Sequence, residues 1–432
     1  MSDATIQALL DGTYPDPDGP GTLSVPTRSV VIAASLAGHE VDLVAPLGLG
    51  RRLAVVSDQT THEVLGARVE RALGAIAAVE SLVLPDHPHA DVPTVDLVRR
   101  ETGAADALIA VGSGTLNDLC KFAVAQDGKP YAVFGTAPSM NGYTSVNATI
   151  TVNGLKTSRP GVAASGVFLD LTVMAAAPPR LIRAGLGDSL CRPTAQADWL
   201  LAHLVRGDPY REAPFAMLAA DEAGLLVEPE ALLHGDLGAM ARLCRTLILS
   251  GFGMTVCGGS YPASQGEHLI SHYVDMRGSP DWPASFHGEQ IGVTTLTMAR
   301  LQERILNGGP PRLGPTRVGE AELIAHFGPE LGAACWREFS RKHLDAAAAD
   351  ALSQRIAAHW EAWRMRLRAV TRPAHVLADV LRRAGAPTTP EAVGWPRAFY
   401  ESAVRHARLI RNRFTFLDLV GETGLLDDLP FA

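Results

Sequence analysis

The sequence predicts an α/β protein in two parts, a Rossmann-like parallel-sheet domain followed by an all-α domain. Short apolar runs alternate with amphipathic stretches from Arg51 to about Leu171, as strands and helices alternate around a parallel sheet. After the Pro178-Pro179 pair, long segments rich in Ala, Leu and Arg replace the β-branched runs, as in packed helices. We therefore expect an N-terminal extension at 1–30, the α/β domain at 31–175 and the helical domain at 176–432.

Strands and helices are predicted to alternate along the α/β part. We expect strands at 53–58, 79–85, 106–112 and 130–136, and helices at 62–73, 92–101 and 116–125. Helical connections of this length are right-handed crossovers, so the strands lie parallel and ligands bind at their carboxyl ends. Residues 147–156 instead predict a hairpin appended to that edge, because β-rich alternation there meets an Asn-Gly turn. In the second half, helical segments are expected at 229–249, 288–306, 347–370 and 397–414.

Composition narrows the functional classes. The chain has 432 residues, and its 38 Lys and Arg against 46 Asp and Glu give a net charge of −8, which argues against a nucleic-acid partner. No apolar run approaches the roughly 18 residues that span a bilayer, and the N-terminus lacks a secretory signal pattern, so we expect a cytoplasmic location. The five cysteines are widely spaced without a CxxC pair and suggest neither a disulfide framework nor a thiolate metal site.

A glycine-containing junction at 111–121 joins the third predicted strand to the helix after it. Gly112 and Gly114 let the backbone approach a phosphate, and the free N–H groups at the helix start would face the anion. The spacing departs from GxGxxG, and a tight turn without a ligand explains the glycines equally well. Asp58, at the end of the first predicted strand, suits either a ribose hydroxyl or the cap of the next helix.

A polar loop at 135–148 is the second candidate region. It follows a predicted strand and is rich in hydroxyl and amide groups. Loops at the carboxyl ends of such strands carry ligand-facing residues, and an irregular connector is the alternative of equal weight.

A group of histidines with one aspartate forms the third candidate. His268 and His272 are four residues apart in EHLISH, so they share one helix face. His287 precedes a new helix, whose dipole favours a neutral imidazole. With Asp188, two imidazoles make a three-point ligand set for a divalent cation and leave a position open for water or substrate. Histidines with structural roles alone are the alternative.

These candidates fall within an ordered series of segments: GSGTLNDLCK, GKPYAVFGTAPSMNGYTS, GLKTS, APPRLIRAGLGD, QADW, GGSYPASQGEHLISHYVDM, HGEQIGV and RNRFTFLDLVGETGLL. The series resembles the NAD(P)-dependent sn-glycerol-1-phosphate dehydrogenases, particularly their bacterial branch, within the superfamily of glycerol dehydrogenase, metal-dependent alcohol dehydrogenases and 3-dehydroquinate synthase. The resemblance covers nearly the whole chain from about residue 30. It implies a cytoplasmic homodimer that acts on a small phosphorylated substrate for phospholipid metabolism.

The resemblance also implies roles for individual residues. It implies that 31–175 bind the dinucleotide and that 176–432 bind the metal and substrate. It places along the pyrophosphate of NAD or NADP the residues Gly112, Ser113, Gly114, Thr115 and Asp118. It places Thr136 and Ser139 nearer the nicotinamide half of the cofactor. The implied ligands of the divalent ion, which zinc, nickel or iron(II) suits alike, are Asp188, His268 and His287. His272 is not a ligand in the family, and we expect it to support a metal ligand, to face the substrate or to serve in packing.

One departure from the family pattern concerns the loop. The family usually reads Ser-x-Asp-Gly, whereas this chain has Ser139-Met140-Asn141-Gly142, so an amide replaces a carboxylate that can take a proton. Asn141 is therefore the catalytic-site position where activity or specificity can differ. Cys191 and Pro193 also stand where the family leads us to expect a glycine and an aromatic residue.

The implied reaction interconverts dihydroxyacetone phosphate and sn-glycerol 1-phosphate. Its phosphate needs cationic donors, for which Lys156 and Arg159 on the hairpin are candidates, with surface charge as the alternative. Three other functions remain open: a dehydrogenase of another polyol or polyol phosphate, a lyase of the dehydroquinate synthase type, and a catalytically impaired binding paralogue. The scarcity of lysine, with only four in the chain, disfavours the lyase.

Overall fold

The computed structural model describes residues 4–152 and 155–425, with the backbone alone for Leu155 and Lys156. The strands are β1 (Tyr14–Pro15), β2 (Thr22–Leu23), β3 (Ser29–Ala33), β4 (Arg52–Asp58), β5 (Ala78–Leu84), β6 (Ala107–Gly112), β7 (Tyr131–Gly135), β8 (Asn147–Val152), β9 (Leu155–Pro160) and β10 (Gly166–Asp170). The first eleven helices are α1 (Ala4–Leu10), α2 (Glu40–Val44), α3 (Gln59–Thr61), α4 (Ala67–Leu73), α5 (Val92–Glu101), α6 (Gly114–Asp127), α7 (Leu171–Ala175), α8 (Pro179–Leu190), α9 (Arg192–Arg206), α10 (Ala213–Ala216) and α11 (Ala219–Val227).

The remaining helices follow without a further strand in the part of the chain described. They are α12 (Leu237–Val256), α13 (Gly266–Arg277), α14 (His287–Asn307), α15 (Glu320–Phe327), α16 (Pro329–Phe339), α17 (Ala346–Val370), α18 (Ala374–Arg383), α19 (Arg397–His406) and α20 (Phe416–Thr423). This order, with strands and helices interleaved first and helices alone afterwards, confirms the predicted fold class. Among the described residues, no helix is both long and apolar enough to cross a membrane.

Six strands form one sheet in the order β3-β10-β7-β6-β4-β5, and every neighbouring pair is parallel. The predicted parallel sheet is thus confirmed. Its central strands are continuous apolar runs because helices cover both faces, and every residue of β6, β7 and β10 is buried. The edge strand β3, which pairs with β10, and the strand β10 itself were missed by the sequence prediction.

One local prediction is wrong in detail. The helix expected at 62–73 is divided into a π-helical turn, His62–Gly66, followed by α4.

The antiparallel pairing of the predicted hairpin is confirmed, since β8 pairs with β9 in a two-stranded sheet of their own. Its Asn-Gly turn lies outside the described residues. The hairpin contacts helix α6, where the backbone N–H of Thr149 donates to Asp118 Oδ2 over 2.9 Å.

Two of the predicted long helical segments are also interrupted. Residues 229–249 contain a 3-10 helix, Pro229–His234, before α12 begins after its cap Asp236, whose Oδ1 accepts the N–H of Ala239 over 2.7 Å. In the segment 397–414, α19 ends at His406 and a 3-10 helix, Ala407–Ile410, follows.

Backbone contacts divide the chain into two compact units. The first unit contains Met1–Ser189, Glu212–Ser260 and Arg383–Gly385, and the second contains Leu190–Arg211, Tyr261–Arg382 and Ala386–Ala432. The first unit has an apolar core on the sheet, including Val55, Ile109 and Phe134. The second has its own helical core, including Leu201 and Ile270. The domain boundaries expected from the sequence stay a prediction.

Candidate active site

Several residues predicted to bind a cofactor lie along one edge of the large sheet. Asp58, Gly112 and Thr136 stand at or just after the carboxyl ends of β4, β6 and β7, which are neighbours in the sheet. The N–H of Thr136 donates to the carbonyl oxygen of Gly112 over 3.1 Å, which joins two of these positions directly. The arrangement has the geometry of a ligand-binding edge in an open α/β sheet.

The turn from β6 into α6 requires glycine at its first position. A Cβ at Gly112 would lie 2.8 Å from Cβ of Leu116, an atom that side-chain rotation cannot move, so a larger residue would force the first turn of α6 to shift. Ser113, Gly114 and Thr115 follow in the first turn of α6, with backbone N–H groups that precede the helix's own hydrogen bonds. The helix start can therefore receive an anion such as a pyrophosphate.

Asp58 and Asp118 already have structural roles. Asp58 caps α3, because its Oδ1 accepts the N–H of Thr61 over 2.7 Å while Thr61 Oγ1 accepts the N–H of Asp58 over 3.0 Å. The carboxylate of Asp118 accepts from Asn117 and from the backbone of Thr149, and burial raises its pKa. Cofactor contacts of both aspartates stay a prediction.

Lys121 fixes the polar loop that follows β7. Its Nζ is fully buried and donates to the carbonyl oxygens of Gly142 over 2.6 Å and Asn147 over 3.0 Å. Asp118 Oδ1 lies 3.5 Å away. Burial lowers the pKa of Lys121, and these oxygens compensate part of the lost hydration. No role for Lys121 was predicted from the sequence, where the only signal was that the chain has just four lysines.

Two glycines let helices approach the same loop closely. A Cβ at Gly185 in α8 would lie 1.6 Å from the carbonyl oxygen of Pro138. A Cβ at Gly251 in α12 would lie 2.2 Å from Thr144 Oγ1 and 2.6 Å from the carbonyl oxygen of Asn141. The loop that carries Ser139 and Asn141 is therefore clamped by α8 and α12 within the first unit.

Asn141 uses both its backbone and its side chain. Its backbone N–H donates to Asp188 Oδ2 over 3.1 Å, and its Nδ2 donates to Ser250 Oγ over 3.2 Å. The side-chain amide that departs from the family pattern is thus tied to α12, whereas the backbone N–H of the same residue binds a predicted metal ligand.

Two of the predicted metal ligands converge in the second unit. The Nε2 atoms of His268 in α13 and His287 at the start of α14 lie 3.2 Å apart. His268 Nδ1 lies 2.9 Å from Oε1 of the buried Glu267. The imidazole of His272 is half-buried, with its ring centre 5.9 Å from that of His268.

This pair suits a divalent cation. Two lone pairs cannot face each other at this distance without a proton or a cation between them. With zinc–nitrogen bonds of about 2.0–2.1 Å and tetrahedral angles, two ligand nitrogens stand about 3.3 Å apart, close to the observed separation. A carboxylate on the far nitrogen of a ligand histidine is also usual at such sites.

Asp188 belongs to the first unit, so its place beside the two histidines stays a prediction. It is buried near the end of α8, three residues before Cys191. Cys191 belongs to the second unit, where its Sγ, a Glu267 carboxylate oxygen and a His268 ring nitrogen all lie within 4.8 Å of one another.

The candidates for the substrate phosphate receive little support. The side chain of Lys156 lies outside the described residues. Arg159 is exposed and its Nε donates over 3.2 Å to Thr157 on its own strand. Glu267 was not predicted either, because adjacent residues on a helix do not normally face each other.

Known proteins with a similar sequence or fold identify the structural class of this chain. The sequence profile described as "Iron-containing alcohol dehydrogenase" matches residues 31–178. A glycerol dehydrogenase structure from Schizosaccharomyces pombe superposes with a TM-score of 0.63 at 15% identity, covering 96% of this chain and 92% of that one. A probable glycerol dehydrogenase from Sinorhizobium meliloti gives a TM-score of 0.58 at 18% identity, covering 91% and 95%. The fold is therefore that of the iron-containing alcohol dehydrogenase and glycerol dehydrogenase class.

Sequence relatives define the family within this class. A glycerol-1-phosphate dehydrogenase [NAD(P)+] from Pyrococcus furiosus is 33% identical over 316 residues, which cover 69% of this chain and 89% of that protein. The protein of the same name from Bacillus subtilis is 27% identical over 415 residues, which cover 94% of each chain. The chain belongs to the NAD(P)+-dependent glycerol-1-phosphate dehydrogenase family, as the sequence resemblance predicted.

Proposed function

We propose that the protein is a metal-dependent oxidoreductase that interconverts dihydroxyacetone phosphate and sn-glycerol 1-phosphate with NAD or NADP. The single observation that carries this proposal is the convergence of His268 and His287 in a chain of this family. The alternatives raised by the sequence lack a comparable observation in their favour.

Asp188, His268 and His287 would hold the divalent cation. When bound, the cation supplies a Lewis acid that polarises the carbonyl of the ketone or acidifies the hydroxyl of the alcohol. The chain's own part is to hold two neutral imidazoles and one carboxylate in fixed directions. Glu267 beside His268, and the N–H of Asn141 on Asp188, serve this positioning.

The sheet edge would hold the dinucleotide. The N–H groups of Ser113, Gly114 and Thr115 would bind the pyrophosphate at the start of α6, where the helix dipole favours an anion. Asp58 would accept from a ribose hydroxyl, and Asp118 would lie along the pyrophosphate. Thr136 and Ser139 would lie near the nicotinamide, which supplies the hydride-transfer chemistry.

The remaining candidates would contact the substrate. His272 is half-buried and close to His268, which suits a donor to the substrate. Asn141 can donate and accept hydrogen bonds but does not take up a proton near neutral pH, so it would orient the substrate and not serve as a general base. Lys156 would meet the phosphate group.

The test uses the full-length protein supplied with zinc, nickel or iron(II). Each preparation is mixed with dihydroxyacetone phosphate and either NADH or NADPH, and oxidation of the nicotinamide is followed by absorbance. We expect turnover with at least one metal and cofactor, and chiral chromatography should identify the product as the sn-glycerol 1-phosphate enantiomer. Metal-replete protein without turnover, or formation of the opposite enantiomer, would contradict the proposal.

A further inference from the structure

Glu267 is a buried carboxylate of the second unit that contacts His268, one of the two converging histidines. Its side chain is fully buried at the start of α13, directly before His268. Its Oε1 lies 2.9 Å from His268 Nδ1 and accepts the backbone N–H of Gln265 over 2.7 Å. Its Oε2 lies 3.3 Å from Thr194 Oγ1, whose single proton also faces the carbonyl oxygen of Cys191 at 2.7 Å. The ligand histidine is therefore one of the two donors at Oε1.

These contacts determine which nitrogen of His268 carries the proton. A carboxylate only accepts, so the nitrogen that faces it must be Nδ1–H. The neutral ring then has its lone pair on Nε2, which is the atom that faces His287. Without an acceptor at Nδ1, His268 could instead hold its proton on Nε2, where it would block a cation.

A buried polar network holds Glu267 in this position. Gln302 Nε2 donates to the carbonyl oxygen of Thr194 over 3.0 Å, which fixes the residue that contacts Glu267 Oε2. The Oδ2 atom of Asp198 accepts the N–H of Gly266 over 2.9 Å, which fixes the first residue of α13. These side chains come from α9 and α14, and all are buried, so the direction of the carboxylate is set by several helices.

We propose that Glu267 is a positioning residue that keeps His268 in the Nδ1–H form and thereby sets the affinity of the histidine pair for a divalent cation. The proposal rests on the metal site of the proposed function. The role of Glu267 goes beyond the proposed function, because it assigns the control of metal affinity to a residue that does not touch the cation. Second-layer carboxylates of this kind change metal affinity by roughly 10- to 100-fold when they are removed.

The competing explanation is that Glu267 merely stabilises the turn before α13 through Gln265. This explanation predicts a change in folding stability without a change in the His268 tautomer. The two explanations therefore separate on a spectroscopic measurement and not on activity alone.

The test compares Glu267→Gln, which keeps an oxygen but loses the charge, with Glu267→Leu, which removes the acceptor. Glu303→Gln is the matched control, because Glu303 is a partly buried glutamate of the same unit that accepts the N–H of Ala374 over 2.9 Å. Zinc dissociation constants are measured by competition with a chelator on the full chain. Nitrogen-15 chemical shifts of His268 in metal-depleted protein report the tautomer.

We expect the zinc dissociation constant to rise about 10-fold in Glu267→Gln and about 100-fold in Glu267→Leu, with no change in the control. The Nδ1–H form of His268 should dominate in the wild type and lose population in the same order. Unchanged affinity and tautomer in Glu267→Gln would overturn the proposal, even if Glu267→Leu fails to fold. If the wild type binds no cation, the proposed function fails, whereas the tautomer measurement still decides the role of Glu267.

Discussion

Buried polar side chains shape the candidate site through contacts with specific partners. Lys121 binds two loop carbonyl oxygens, and Glu267 binds one ligand histidine. An uncompensated charge at either place would be costly in a protein interior. Asn141 is the residue of this kind whose identity departs from the family pattern, and the structure gives its amide a donor role toward Ser250.

We predict that Asn141→Asp lowers kcat/KM for dihydroxyacetone phosphate by about 10-fold, equivalent to about 1.4 kcal/mol. The new carboxylate cannot donate to Ser250 Oγ and would add a negative charge beside Asp188, which accepts the backbone N–H of the same residue. Steady-state kinetics measure the effect, with Asn141→Ala as the comparison that removes the amide without adding charge. A large gain in turnover would show instead that Asn141 is a degenerate position.

The elements around the loop are packed so closely that glycine is required on two helices. The loop at 138–145 contacts α8 at Gly185 and α12 at Gly251, and α6 binds it from a third direction through Lys121. A rigid loop of this kind presents its polar atoms in fixed directions, which favours binding of an ordered ligand.

Gly185→Ala should therefore destabilise the fold by about 1–3 kcal/mol, because the new Cβ overlaps a backbone oxygen that cannot rotate away. The displaced loop should also raise the KM for the nicotinamide cofactor. Chemical denaturation and kinetics measure the two effects. Gly19→Ala is the control, since a Cβ at Gly19 meets nothing within 4 Å. Equal stability of the two variants would contradict the clamped loop.

A second packing feature joins α13, α15 and α19. His326 and His406 stack with ring centres 4.1 Å apart, and Tyr273 OH lies 2.8 Å from His326 Nε2. Burial, together with the nearby charges of His406 and Arg277, lowers the pKa of His326 to about 4. In the unfolded chain the pKa of histidine is about 6.5, so the unfolded state binds the proton first as the pH falls.

This histidine should make the second unit acid-sensitive. The contribution of neutral His326 to the free energy of unfolding is fully present above about pH 6.5. It is lost progressively as the pH falls toward about 4, because protonation favours the unfolded chain over this interval. His326→Phe keeps an aromatic ring without the proton, so its melting temperature should improve relative to the wild type as the pH falls from about 7 to about 5. A melting-temperature difference that stays constant across this range would refute the assignment.

The molecule as a whole shows which features local sequence can predict. Short apolar runs predicted β4, β6 and β7, which are almost wholly buried, and also the largely exposed edge strand β5. The spacing of four residues between His268 and His272, and the position of His287 at a helix start, indicated the two imidazoles that converge, those of His268 and His287. Both predictions depend on patterns within a few residues of one another.

Features that depend on distant partners were not predictable in the same way. Lys121 would be expected on a helix surface, but it is buried because the carbonyl oxygens of Gly142 and Asn147 surround its amine. Glu267 is adjacent to His268 in the helix, and helical spacing alone does not bring adjacent side chains together.

The central claim is that one cation is held by Asp188, His268 and His287. Its most direct test is the metal content of the purified full chain, measured by mass spectrometry for the wild type and for Asp188→Asn, His268→Ala and His287→Ala. We predict about one divalent ion per chain in the wild type and at least about a tenfold lower occupancy in each variant at the same free-metal concentration. Full occupancy in any of the three variants would contradict the claim, as would a wild type that binds no divalent ion.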